Sequence, residues 1–272
     1  MTAITEQVRS HYNASGLTRR MKAALSTIAS EGSPLTVAQL ASLDQFHTRG
    51  LLATAEFANE VGIKAGDGVL DLGCGIGGPA RHVAATFGCA VTGVDLSPSF
   101  IEAATYLTER CGLSDRAAFR VGDALRLPFR DGAFDVVFLL HVAMNIADRA
   151  ALCAEVRRVL KPGGRFATYD VVLAGGEVLY PLPWAPDAST SFLLSADDTR
   201  AALHAAGFTA TVWRDDTQIA LDWFKATAAS PPHTGLNLGM VMGPEFPATS
   251  GNLGRNILEG RLGILSAVLN RD

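Results

Sequence analysis

The 272-residue sequence predicts an α/β protein built on a doubly wound parallel sheet. Three observations carry that expectation. Between Gly68 and Val172, short apolar runs alternate with segments of helical period, the pattern of a parallel sheet covered by helices on both faces. The first run leads through a glycine-rich loop into a helix start. The composition, 48% hydrophobic and 18% charged, can supply a core and lies far from that of disordered chains. The length allows one large domain or two small ones.

Taken in order, residues 1–60 read as helical, with Leu40, Phe46, Leu51, Leu52 and Phe57 as buried positions. Gly68-Val-Leu-Asp-Leu72 is a short buried strand, and Pro79 suits the first turn of the helix after it. Ala90 to Val94 gives the next strand, with Ser97-Pro98 as a cap and first-turn proline behind it. Ala117 to Val121, Phe134 to Leu140 and Arg165 to Val172 are three more strands. Before the last of these, Asp148 precedes a helix with Leu152, Val156, Val159 and Leu160 on one face, stopped by Lys161-Pro-Gly-Gly164. Ser195 with Asp198 opens another helix that closes at Gly207; Phe208 to Arg214 reads as a sixth strand and Leu262 to Leu269 as a seventh. Residues 173–195 and 231–256 are rich in Pro, Gly, aromatics and amides, as expected of loops covering a site. The expected division is a helical cap over 1–60, a ligand-binding core over 61–172, core completion plus lid insertions over 173–260, and the final strand over 261–272.

Charge and cysteine content narrow the function classes. With 23 Lys+Arg against 27 Asp+Glu the formal charge is −4, so no broad basic surface is expected and nucleic acid is not an expected partner. Cys74, Cys89, Cys111 and Cys153 form no C-x-x-C pair and are too widely spaced for a zinc or disulfide framework, so reduced thiols, a cytoplasmic location and no metal are expected. No apolar run approaches the length needed to span a bilayer. Arg9, Arg19, Arg20 and Lys22 give the N-terminus a slight transit-peptide texture that ordinary surface helices share.

The strongest motif is Val-Leu-Asp-Leu-Gly-Cys-Gly-Ile-Gly-Gly-Pro-Ala, residues 69–80. Glycines let the backbone approach a ligand closely, and the helix behind them offers unpaired N–H groups. Gly73, Gly75 and Gly78 by themselves also satisfy the spacing of dinucleotide sites, so they leave the nucleotide class open. Asp95, at the end of the second strand, can accept from both hydroxyls of a ribose. Asp123, in Val-Gly-Asp-Ala124, is placed for an adenine amino group. Asp71, two residues before Gly73, would repel a pyrophosphate and attract an ammonium or sulfonium. The expected ligand therefore carries positive charge.

With those residues in view the chain resembles the class I S-adenosylmethionine-dependent methyltransferases. The matching stretches are Val-Leu-Asp-Leu-Gly-Cys-Gly-Ile-Gly, Thr-Gly-Val-Asp-Leu-Ser, Gly-Asp-Ala-Leu-Arg-Leu-Pro-Phe, Phe-Asp-Val-Val-Phe and Glu-Val-Arg-Arg-Val-Leu-Lys-Pro-Gly-Gly, in the family's order within residues 61–172. Outside the core the chain is most similar to the ubiquinone, tocopherol/sterol and dimethylglycine groups. The resemblance implies a Rossmann-like seven-stranded sheet with an antiparallel last strand, and S-adenosyl-L-methionine as cofactor with S-adenosyl-L-homocysteine as product. It implies further that Asp71 and the loop residues Gly73, Cys74, Gly75 and Gly77 surround the methionine part. Asp95 with Leu96 would take the ribose, Asp123 with Ala124 the adenine, and Leu140 and His141 would complete the set.

The implied reaction is direct displacement, in which the protein mainly aligns a nucleophile with the S–CH3 bond of the cofactor. The acceptor is expected to be a small organic molecule whose N, O or C nucleophile the sequence leaves open. Many relatives carry a His-His pair after the fourth strand, where this chain has Met144 and Asn145. His141 and Asn145 are the candidate catalytic residues, and Tyr12, His47, Met144, Tyr180 and Trp184 the candidate substrate residues. Gln45, Phe192, Trp223, Phe224 and His233 are further wall candidates, and Asn252, Arg255 and Asn256 further donors. Two other readings stay open at this level: an NAD(P)-dependent oxidoreductase, and a module that binds the cofactor without turnover.

Overall fold

The strands with the most continuous apolar runs, Gly68–Leu72 (β1) and Phe134–Leu140 (β4), lie side by side in the middle of a seven-stranded sheet, buried on both faces. The computed structural model describes residues 3–12, 16–26, 28–30, 32–229 and 235–272. Four helices come first: α1 (Ala3–Tyr12), α2 (Leu17–Leu25), α3 (Val37–Asp44) and α4 (Gly50–Val61). After β1 follow α5 (Gly78–Phe87), β2 (Ala90–Asp95), α6 (Pro98–Arg110), β3 (Ala117–Val121), β4 and α7 (Arg149–Val159). The chain continues through β5 (Leu160–Leu173), α8 (Ala196–Ala205), β6 (Phe208–Asp215), α9 (Thr217–Ala229), α10 (Gly239–Met242), α11 (Phe246–Leu258) and β7 (Leu262–Arg271). The spatial order is β3-β2-β1-β4-β5-β7-β6, with β7 antiparallel to both β5 and β6. This is the expected doubly wound sheet with its reversed last strand.

Side-chain caps set the helix starts. Thr36 and Gln39 form a reciprocal capping box at α3; Ser97, Asp148 and Ser195 cap α6, α7 and α8 by accepting from Phe100, Ala151 and Asp198 amides. One face of the sheet packs Val69, Val136 and Phe138 against Phe57 of α4 and Val83 of α5. The other packs Leu70, Val137 and Leu139 against Leu152 and Val156 of α7 and Leu203 of α8. Leu17, Met21, Leu40 and Leu43 of the N-terminal helices join Phe100 and Leu107 of α6 in a third cluster, which ties the cap to the core.

Three expectations are corrected here. Leu52 is 60% exposed, because the inward stripe of α4 is Ala53, Phe57, Ala58 and Val61 and Leu52 falls off it. Leu160 belongs to β5 instead of α7: it pairs with Phe134 while Arg165 pairs with Val136, so the Lys161–Gly164 segment bulges out within one strand. Much of 231–256 is helical, in α10 and α11, where a loop texture was expected. Proline at the first turn of α11 explains how a Pro-bearing segment still builds a helix.

Candidate active site

A cavity of about 340 Å³ opens at the carboxyl ends of β1, β2 and β4 and the segment after β3. The ligand edge of an open α/β sheet is where such a crevice is expected. Gly73 and Gly75 line it with φ of +77° and +52°, a region glycine occupies freely. A Cβ on Gly73 would stand 2.3 Å from Val142 Cγ2, so only glycine lets the β1 and β4 ends close on each other. The Gly73 and Cys74 amides donate to Val94 O at 2.7 and 3.0 Å, which fixes the loop against β2.

Backbone amides also aim the carboxylates. Asp95 Oδ2 accepts from Gly75 N–H and Oδ1 from Ser97 N–H, both at 2.9 Å, leaving one lone pair on each oxygen for a ligand. Burial pushes its pKa up to about 6, against the opposing pull of those amides. Asp123 Oδ1 accepts from Leu125 N–H at 2.9 Å. Leu96, Ala124 and Leu140 line the same space.

Beyond the loop lies a cluster of neutral polar groups. His141 ends β4 in the left-handed region, φ +53°, its amide donating to Tyr169 O at 2.8 Å and its ring stacked on Tyr169 at 5.4 Å. Thr48 Oγ1 bridges His141 Nε2 at 3.3 Å and the Tyr169 hydroxyl at 3.0 Å. The His47 ring is 6.0 Å from that of His141. Burial lowers the pKa of His47 to about 4 and holds that of His141 well below the usual value, so both are neutral at pH 7. Asn145 Nδ2 donates to the Tyr12 hydroxyl at 3.2 Å, which closes α1 over the cavity, while Asn145 Oδ1 is buried with no partner.

Residues 70–168 match the family model described as "Methyltransferase domain". That stretch of the chain is similar to a methyltransferase domain. A sterol 24-C-methyltransferase of Gibberella zeae is 41% identical over 113 residues, 42% of this chain and 30% of that protein. Methyltransferase GfsG of Streptomyces halstedii is 36% identical over 134 residues, 49% of this chain and 48% of that one. The matches thus span less than half the length of these relatives. The geranyl diphosphate C-methyltransferase of Streptomyces coelicolor A3(2) shares the fold across 100% of this chain and 98% of its own, with a TM-score of 0.73 at 19% identity.

Not every expected residue reaches the cavity. Tyr12, His47, Met144 and Trp184 line it with His141 and Asn145; so do Trp223 and Phe224. Asp71, Cys74 and Gly77 do not. Asp71 is buried beneath the loop beside the Ala80 amide, its Oδ2 unpartnered and its pKa raised by burial to about 7. The Cys74 thiol is buried, with its pKa pushed well up by desolvation. A Cβ on Gly77 would meet the Phe119 ring at 2.7 Å, so this glycine serves helix packing.

Tyr180, Phe192 and Gln45 also lie off the cavity wall. The expected donors Asn252 and Asn256 are bonded to the backbone at Pro181 and Leu179, and Arg255 pairs with Glu259 one turn on, so these three are engaged away from the cavity. His233 lies outside the described residues. Sequence reasoning missed Thr48, Tyr169 and the buried Arg81–Asp44 pair. Arg81, on an otherwise apolar face of α5, was the available signal for that pair.

Proposed function

We propose that this protein is an S-adenosyl-L-methionine-dependent methyltransferase acting on a small organic acceptor in the cytoplasm. The observation that carries the reading is Asp95, held by two backbone amides with both oxygens available beside the cavity-lining glycines. The residues present fit such a ligand. Asp95 would accept from the ribose hydroxyls, Asp123 from the adenine amino group, and the orphaned Asn145 Oδ1 from an ammonium or an acceptor group. When bound, the cofactor supplies an activated methyl group on a neutral leaving group. The chain's own task is to exclude water and align the acceptor near His141 and Asn145. Structures of the same fold hold S-adenosylmethionine or its homocysteine product, which supports the reading.

A dinucleotide fits less well. Its pyrophosphate would face Asp95 across the loop, with the charge of Asp71 beneath, and the described residues lining the cavity include no lysine or arginine. The cytoplasmic placement rests on four unpaired cysteines. Among the described residues no helix is long and apolar enough to cross a membrane.

Calorimetric titration with S-adenosylhomocysteine and with NADH tests the cofactor, with saturable binding expected only of the first. Asp95→Ala should weaken S-adenosylhomocysteine by about 1–3 kcal/mol, the scale of a charge-assisted hydrogen-bond loss. Unchanged affinity would remove Asp95 from the ribose.

A further inference from the structure

The charged side chains that line the cavity are all carboxylates: Asp95, Asp123 and Asp148. Among the described residues no lysine or arginine joins them, and no group of three or more His, Cys, Asp or Glu stands ready to hold a metal that could carry a phosphate. Apart from the cofactor's own sulfonium, whose charge is lost in the transfer, an anionic acceptor would find no counter-ion among the described side chains of this confined, low-dielectric space. The lid side is apolar and aromatic, formed by Trp184, Trp223, Phe224, Met242, Phe246 and Leu253. Such a wall takes up hydrocarbon or aromatic surface at roughly 25 cal/mol per Å² buried.

Against that wall the His47 ring has a fixed tautomer. Nε2 lies 3.0 Å from Gly50 O, which can only accept, so Nε2 carries the proton. Thr54 Oγ1, also 3.0 Å from Nε2, donates its own proton to Gln45 Oε1 at 2.7 Å and shares the same N–H as a second acceptor. The other ring nitrogen, Nδ1, is therefore a bare lone pair on a side chain that lines the cavity. Burial keeps the ring neutral at pH 7, in the form that can accept a proton. Asn145 Oδ1, buried with no partner, makes the polar station one of acceptors.

Building on the methyltransferase reading, we infer that the acceptor is a neutral, largely apolar molecule with a hydroxyl group, and that His47 Nδ1 receives the hydroxyl proton. The hydroxyl oxygen bonds to the methyl carbon as the carbon–sulfur bond opens; the proton passes to Nδ1 and from the imidazolium to water, leaving a methyl ether and a neutral thioether. A weak base suffices, since the proton leaves an oxygen already acidified by the forming bond. This inference narrows the acceptor atom to oxygen and assigns the base to His47, with His141 and Thr48 lining the station beside it.

Naphthol, naphthoate and naphthyl phosphate share a ring system and differ in charge, so they separate the cases. Trp184 and Trp223 report binding by fluorescence in the presence of S-adenosylhomocysteine, and labelled cofactor reports transfer. Naphthol is expected to quench and to be methylated, with both anions at least about tenfold weaker. His47→Leu and His47→Gln should each keep S-adenosylhomocysteine affinity and lose about 100-fold or more of transfer to naphthol. Equal or tighter binding of an anion overturns the inference, as does naphthol that fails to quench while S-adenosylhomocysteine binds, or a His47 variant with full transfer. Failure of S-adenosylhomocysteine itself to bind strikes the methyltransferase reading instead.

Discussion

Arg81→Met is expected to lose about 3–5 kcal/mol of folding stability, the range for removing one partner of a buried ion pair. Arg81 and Asp44 are fully buried at 2.8 Å, and Arg81 Nη1 also donates to Ala104 O and Thr108 Oγ1, both at 3.2 Å. The guanidinium thereby joins the N-terminal cap, α5 and α6. Burial raises the pKa of Asp44 and Arg81 pulls it back; without the arginine the carboxylate is stranded away from water. Its native pKa then lies further above the unfolded value, so the variant regains stability as pH falls and the carboxyl takes up a proton. Urea unfolding at pH 8 and pH 5 should show the larger loss at pH 8. The double variant Asp44→Leu/Arg81→Met should recover most of it, since an apolar pair removes the stranded charge. A double variant no more stable than the single one would trace the loss to packing alone.

The second large effect has the opposite sign. Asp71 carries an unpartnered oxygen in the dry space under the glycine loop, with its pKa raised from 3.8 to about 7. A pKa raised in the native state contributes stability that is complete below pH 4 and lost as pH rises through 7. At 1.36 kcal/mol per unit the loss is on the order of 4 kcal/mol by pH 8. Asp71→Asn removes that loss and adds a buried amide that costs about 1–3 kcal/mol, so a net gain of about 1–3 kcal/mol is expected at pH 8. The gain should vanish by pH 5. A pH-independent difference between variant and native protein would show that Asp71 titrates normally. Because the carboxylate acts on ligands through the loop, its loss should weaken the sulfonium form of the cofactor more than the neutral thioether form.

Fold and cavity edge were legible because each rests on local signals. The β1 and β4 apolar runs, the glycines that need positive φ, and Ser97, Asp148 and Ser195 as caps are all written within a few residues of the structure they cause. Asp95 could be read from its place at a strand end; that two amides would aim it depends on the loop returning over β2. Sequence distance from Gly73 does not tell which face of β1 Asp71 shares; the structure puts it under α5, off the cavity wall. Thr48 and Tyr169 escaped notice because they meet across 121 residues of sequence. The 231–256 segment has a loop-like composition, yet a first-turn proline and tertiary packing make part of it helix.

The reversed edge of the sheet also dictates an order of assembly on the ribosome. Among the described residues β6 pairs with no strand but β7, and β7 is the wedge between β5 and β6. While synthesis has reached only α9, β5 shows an open rim and β6 has nowhere to dock, so the nascent chain must keep both from adhering to other polypeptides. The ten residues of β7 therefore act as the zipper of the sheet. Any lesion that delays their arrival prolongs the interval in which the growing protein is sticky.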